Sequence, residues 1–102
     1  MGYYTDFELT FSGDIEYDEL LDALNKVTEY KWHDDLTLPS VKWYNHKVDM
    51  QIISTMFPDV VFTLHGDGEE SSDIWQEYFK NGKSQYAHSE VTFEKFDEYK
   101  LK

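Results

Sequence analysis

Four histidines, a carboxylate-rich loop and a dense set of aromatic rings are the residues of this chain that could do chemistry. His33, His46, His65 and His88 are not spaced from one another as metal-binding pairs usually are. His46 with Asp49 could share a helix face, and His65 with Asp67 could meet at a strand end. The loop Asp67-Gly68-Glu69-Glu70, continuing to Asp73, is acidic but lacks the alternating ligand register of a calcium loop. No metal is expected. The chain has no cysteine, no Gly-x-Ser-x-Gly elbow, no phosphate loop and no dinucleotide fingerprint. Carboxylates are so abundant that no pair is singled out, and nothing marks Glu69 or Glu70 as a general acid. The expectation is therefore a protein that is not an enzyme and carries no cofactor.

The aromatic residues make the more specific constellation, at 18% of the chain. Asn81-Gly82 between two strand-like runs is a strong hairpin signal, because a tight two-residue turn wants positive φ at both positions. That turn places Trp75 opposite His88, Glu77 opposite Tyr86 and Phe79 opposite Ser84. The other face of the hairpin then carries Ile74, Gln76, Tyr78, Gln85 and Ala87. One face is core, and the other presents polar-tipped aromatics suited to binding a protein or a stacked base.

The elements that must position these groups follow from periodicity. Tyr3, Thr5, Phe7, Leu9 and Phe11 alternate with polar neighbours, which predicts a strand with one buried face, ended by Gly13-Asp14. Tyr17, Leu20, Leu21, Leu24 and Val27 recur at helical spacing, with Asp18 and Glu19 early in the helix where its dipole favours them. Residues 28–40 read as connection, ended by Pro39-Ser40. Val41–Tyr44 reads as a short strand, and Asn45 as the cap of a helix over 46–57 with Met50, Ile53, Met56 and Phe57 inward and Ile52 flanking. After Pro58-Asp59 come the two strands of the hairpin, and Ser84–Phe93 keeps strand character. The tail from Glu94 reads as strand or loop. The order β-α-β-α-β-β-β predicts one α+β domain over residues 1–102, with an antiparallel or mixed sheet of about five strands and both helices on one face.

Charge excludes some partners. The chain has 9 basic and 21 acidic residues, and every basic residue is lysine. Residues 1–25 hold seven carboxylates and no lysine, and residues 59–79 hold six and none. Without arginine, the usual reader of phosphates and base edges, direct nucleic-acid binding is not expected, whereas a partner with a basic surface is. The opening residues do not resemble a signal peptide or a myristoylation signal, and no apolar run approaches the length of a membrane span. A cytoplasmic protein, away from membranes and monomeric or self-associating, is the expectation.

Trp43-Tyr44-Asn45-His46, Asp49-Met50, Phe57-Pro58-Asp59-Val60, Gly66-Asp67-Gly68-Glu69-Glu70, Asp73-Ile74-Trp75 and Tyr78-Phe79-Lys80-Asn81-Gly82-Lys83 together resemble a group of small acidic proteins encoded by bacteriophages and prophages. The opening Gly2-Tyr3-Tyr4-Thr5-Asp6-Phe7-Glu8-Leu9 is similar to theirs as well. The resemblance implies a phage accessory protein acting inside the bacterial cytoplasm.

Two functions are open on this reading. In the first, the protein antagonises a bacterial defence system by occluding a host protein such as a CRISPR effector. Asp67, Glu69, Glu70 and Asp73, with Asp14, Glu16, Asp18, Glu19 and Asp22, would occupy a basic channel, and Trp75 and Tyr78 would anchor the contact. In the second, Trp43, His46, Trp75 and Tyr78 form a pocket for a small ligand such as a nucleotide signal, with Lys80 or Lys83 on its phosphate.

Overall fold

A computed structural model describes residues 4–69, 73–88 and 96–102. Five strands form one antiparallel sheet in the order β2-β1-β3-β4-β5, with β1 Thr5–Ser12, β2 Thr37–Val41, β3 Val61–Gly68, β4 Ile74–Lys80 and β5 Lys83–His88. Helix α1, Tyr17–Thr28, packs on helix α2, His46–Met56, which lies against β4 and β5. The expected α+β order is the one observed, and every strand pair is antiparallel.

Alternation builds the core. Leu38, Phe7, Gly66 and Trp75 form one row across the sheet, Leu9, Leu64, Glu77 and Tyr86 a second, and Phe11, Phe62, Phe79 and Ser84 a third. Leu20, Leu24, Met50 and Ile53 of the helices are fully buried in the same apolar cluster. The Asn81-Gly82 turn has φ of 49° and 81°, as a two-residue hairpin requires, and it sets the expected pairs Trp75↔His88, Glu77↔Tyr86 and Phe79↔Ser84.

Three parts depart from the sequence reading. The second strand lies at Thr37–Val41 rather than Val41–Tyr44, inside the stretch read as connection. Leu36 and Leu38 supply the reason, since both are buried beside Leu9 and Phe7, and the Leu9 N–H donates to the Leu36 carbonyl. Pro39 is tolerated because β2 is an edge strand, where a missing N–H need not break the ladder. Helix α2 is turned so that Ser54 is buried while Ile52 and Met56 are exposed. The Ser54 hydroxyl accepts a hydrogen bond from the Gly82 N–H at 2.8 Å, tying the helix to the hairpin turn. In the tail, Glu98–Lys100 form a single 3-10 turn, and Lys102 exchanges two backbone hydrogen bonds with Ser84. The expected continuation of β5 as far as Phe93 lies outside the described residues.

Gly82→Val should destabilise the domain by about 1–3 kcal/mol, because a β-branched residue resists positive φ. The new Cβ would also meet Thr55 Cγ2 at 3.0 Å. An unchanged melting temperature in this variant would contradict the turn.

Candidate functional site

The two faces of the sheet are finished differently. On the face away from the helices, Asp6 stands opposite Asp67, and Glu8 opposite His65. Asp6, Glu8 and Asp67 are exposed, as is Glu69 just beyond β3. Among the described residues no lysine comes within ion-pair distance of these four carboxylates; the lysine pairs are Lys26–Asp22 and Lys80–Glu98. Like charges directly opposite each other on a sheet are destabilising, so the Asp6–Asp67 pair costs stability. The Asp6 carboxylate also accepts a hydrogen bond from the Ser40 N–H at 2.7 Å, which joins β2 to this corner. A hollow of about 420 Å³ opens here, with Asp6, Glu8, His65, Asp67, Pro39 and Ile74 among its walls.

The β4–β5 half of the same face is covered. Tyr78 is 8% exposed and packs edge-on against Phe96 at 5.6 Å. The side-chain carbonyl of Gln85 accepts the Asp97 N–H at 3.1 Å, and Lys80 pairs with Glu98. The tail thus closes over the residues that the hairpin alone would leave open.

On the helix face, Trp43, His46 and Trp75 come together. The His46 ring stacks on the Trp75 indole at 4.9 Å and 28°, and Trp43 lies 6.1 Å from His46, nearly perpendicular. Phe7 meets both indoles edge-on at 5.1 and 6.0 Å. Trp43 Nε1 donates to the Asp49 carboxylate at 2.7 Å, locking the ring at the start of α2. Trp32 meets Trp43 edge-on at 5.5 Å and is itself held by Thr28 and Asn25 of α1. Phe7, Trp43, His46 and Trp75, together with Asp73 and Tyr86, bound an opening of about 240 Å³.

Several expected site residues are not where the sequence reading placed them. Trp75 is 7% exposed and cannot be a surface anchor, because its indole lies over Gly66 beneath His46. Tyr78, Lys80 and Lys83 belong to the opposite sheet face, so the pocket has neither the fourth aromatic nor the phosphate-binding lysines expected of it. Glu70 lies outside the described residues. The two acidic blocks meet only in part. Asp6 and Glu8 adjoin Asp67, but Ser12 pairs with Val61 at the other end of the ladder, about 23 Å from the Thr5–Gly68 pair at 3.3 Å per residue. Asp14 to Asp22 follow from that far end.

Glu77 was not singled out by the sequence reading. Strand alternation puts it in the core row between Leu64 and Tyr86, and it is 2% exposed. Its carboxylate lies 3.9 Å from His46 Nδ1, which has no hydrogen-bond partner among the described residues. Burial pushes the Glu77 carboxyl up, against the smaller opposing effects of Lys47 and the Ser84 hydroxyl. Burial likewise pushes His46 down, against the pull of Asp49. Tyr86 is harder to ionise than usual through burial and the fields of Asp73 and Glu77. Among the described residues no group of three or more His, Asp or Glu side chains is arranged to hold a metal ion.

The two shifts have opposite consequences for stability. Glu77 binds its proton more tightly folded than unfolded, so its contribution is fully present below about 4.5 and is lost as pH rises through the higher folded value. His46 contributes above its unfolded value of 6.5 and loses that contribution as pH falls through the lower folded one. Relative to wild type, Glu77→Gln should therefore gain stability as pH rises above about 4.5 and through the raised folded value in urea titrations. A difference that does not change over that range would contradict the burial of an ionisable Glu77.

Compared with known proteins, the chain matches no family model, no curated protein and no solved structure.

Proposed function

We propose that this protein acts by binding, without chemistry of its own, and that the open acidic half of the sheet docks on a basic surface of a partner protein. The observation that carries this reading is the Asp6–Asp67 cross-strand pair, with Glu8 and Glu69 nearby and no lysine of the described residues in ion-pair reach. The bond from the Ser40 N–H gives Asp6 a structural role, whereas Asp67 stands opposite it with no lysine of the described residues in ion-pair reach, and a cationic partner would turn their repulsion into attraction. The fold supports the reading in a second way, since the tail covers one half of this face and leaves the acidic half open. The resemblance to phage-encoded accessory proteins supports a bacterial partner from a defence system, such as a CRISPR effector, met in the host cytoplasm. In that setting the acidic face would occupy a basic channel meant for nucleic acid. Among the described residues no helix is long and apolar enough to cross a membrane.

The test compares wild type with a variant carrying Asp6→Lys, Glu8→Lys and Asp67→Lys, both immobilised and exposed to bacterial lysate after circular dichroism has shown each to be folded. A partner retained by wild type and lost by the variant is the expected result. Recovery of the same proteins by both would overturn the proposal.

A further inference from the structure

The helix-face pocket has Phe7 and Trp75 in common with the acidic hollow but otherwise different walls, and its chemistry does not suit the phosphate-bearing ligand its aromatic residues first suggest. Lys80 and Lys83 project from the other side of the sheet. A carboxylate, Asp73, stands among the pocket walls, and the buried Glu77 carboxylate lies behind His46. Among the described residues the lysine acting on His46 and Glu77 is Lys47, which is not one of the pocket walls. At about 240 Å³ the opening falls below the roughly 300 Å³ at which drug-sized ligand sites begin, so it fits one side chain better than a nucleotide.

We propose that this pocket receives the guanidinium group of one arginine presented by the basic partner. Aromatic rings attract a cation through their negative faces, and a planar guanidinium also stacks on them, which an ammonium cannot do. Tyr86, 44% exposed and stacked on Trp75 at 27°, offers the accessible ring wall, with Tyr44 exposed across the opening and Asp73 placed to meet the charge. The fields of Asp73 and Glu77 that oppose ionisation of Tyr86 favour a cation beside it. The floor of Phe7, Trp43 and Trp75 is fixed by mutual edge-on contacts, so the site needs little ordering when it fills.

The inference rests on the reading of the partner as basic, but its test does not need the partner. The intact protein is titrated with N-acetyl-arginine methylamide, its neutral citrulline counterpart and the lysine counterpart, while the indole N–H signals of Trp43 and Trp75 are followed by NMR. Saturable shifts at these signals with the arginine probe are expected, at an affinity about fivefold above that for citrulline. Lysine should be weaker than arginine. Tyr86→Ala and Asp73→Asn, both at the pocket mouth, should each reduce the arginine response while the rest of the spectrum stays folded. Equal response to arginine and citrulline, or shifts confined to Asp6, Glu8 and Asp67, would overturn the inference. Loss of lysate binding in the charge-reversed variant would then still stand for the acidic sheet face.

Discussion

Gly66→Val should move the urea midpoint of unfolding far downward, by a loss of about 3 kcal/mol or more, the upper part of the range for overpacked cores. The cause is local. Gly66 pairs with Trp75 across the β3–β4 ladder, and a Cβ at Gly66 would lie 2.2, 2.3 and 2.6 Å from Cε2, Cζ2 and Nε1 of the indole. The ring cannot swing away, because His46 stacks on it and Phe7 abuts it. For a domain whose whole stability is of order 5–15 kcal/mol, such a loss is a large share. A double-mutant cycle isolates the effect. In a Trp75→Leu background the cost of Gly66→Val should shrink by about 1 kcal/mol or more, since contacting residues couple. Additive costs would mean that the indole does not lie over Gly66.

Trp75→Ala should cost about 3–5 kcal/mol, the usual range for removing a buried indole. An exposed anchor at this position would instead change stability by less than about 0.5 kcal/mol. Thermal or urea unfolding decides between these, and a near-neutral result would contradict the buried arrangement of Trp75, Gly66 and His46. Loss of partner binding in Trp75→Ala would report a damaged fold rather than a lost contact. For the proposed docking, Tyr86 and the carboxylates of the open face are the positions to change, since none of them is among the buried core residues.

What could be read from sequence is local. The alternation of β1, the periodicity of α1 and the Asn81-Gly82 turn each carry their own signal within a few residues, and the turn then dictates the β4–β5 register. What escaped depends on partners distant in the chain. Trp32 is buried because Thr28 and Asn25 hold its indole and its N–H, and Leu36 and Leu38 because β1 offers them an edge. No period marks those positions. The burial of Trp75 depends on the absence of a side chain at Gly66 in the neighbouring strand, and that of Tyr78 on the approach of Phe96. Glu77 was legible in principle, since strict alternation from Trp75 to Phe79 places it inward, but a carboxylate at a core position runs against the usual pattern. Pairing also decides how far the acidic blocks combine. Asp6 and Glu8 meet Asp67 only because β1 lies antiparallel beside β3, and the same pairing carries Asp14 to the far end of the sheet.

The most direct test of docking through the acidic face is the salt dependence of affinity for the partner recovered from bacterial lysate. It is measured by titration calorimetry for wild type and for the variant Asp6→Asn, Glu8→Gln and Asp67→Asn. Neutralising three carboxylates should weaken binding about tenfold at low salt and flatten the dependence on salt, because the long-range attraction they supply is screened over about 10 Å at 0.1 M. Equal affinities and equal salt slopes for the two proteins would contradict the account.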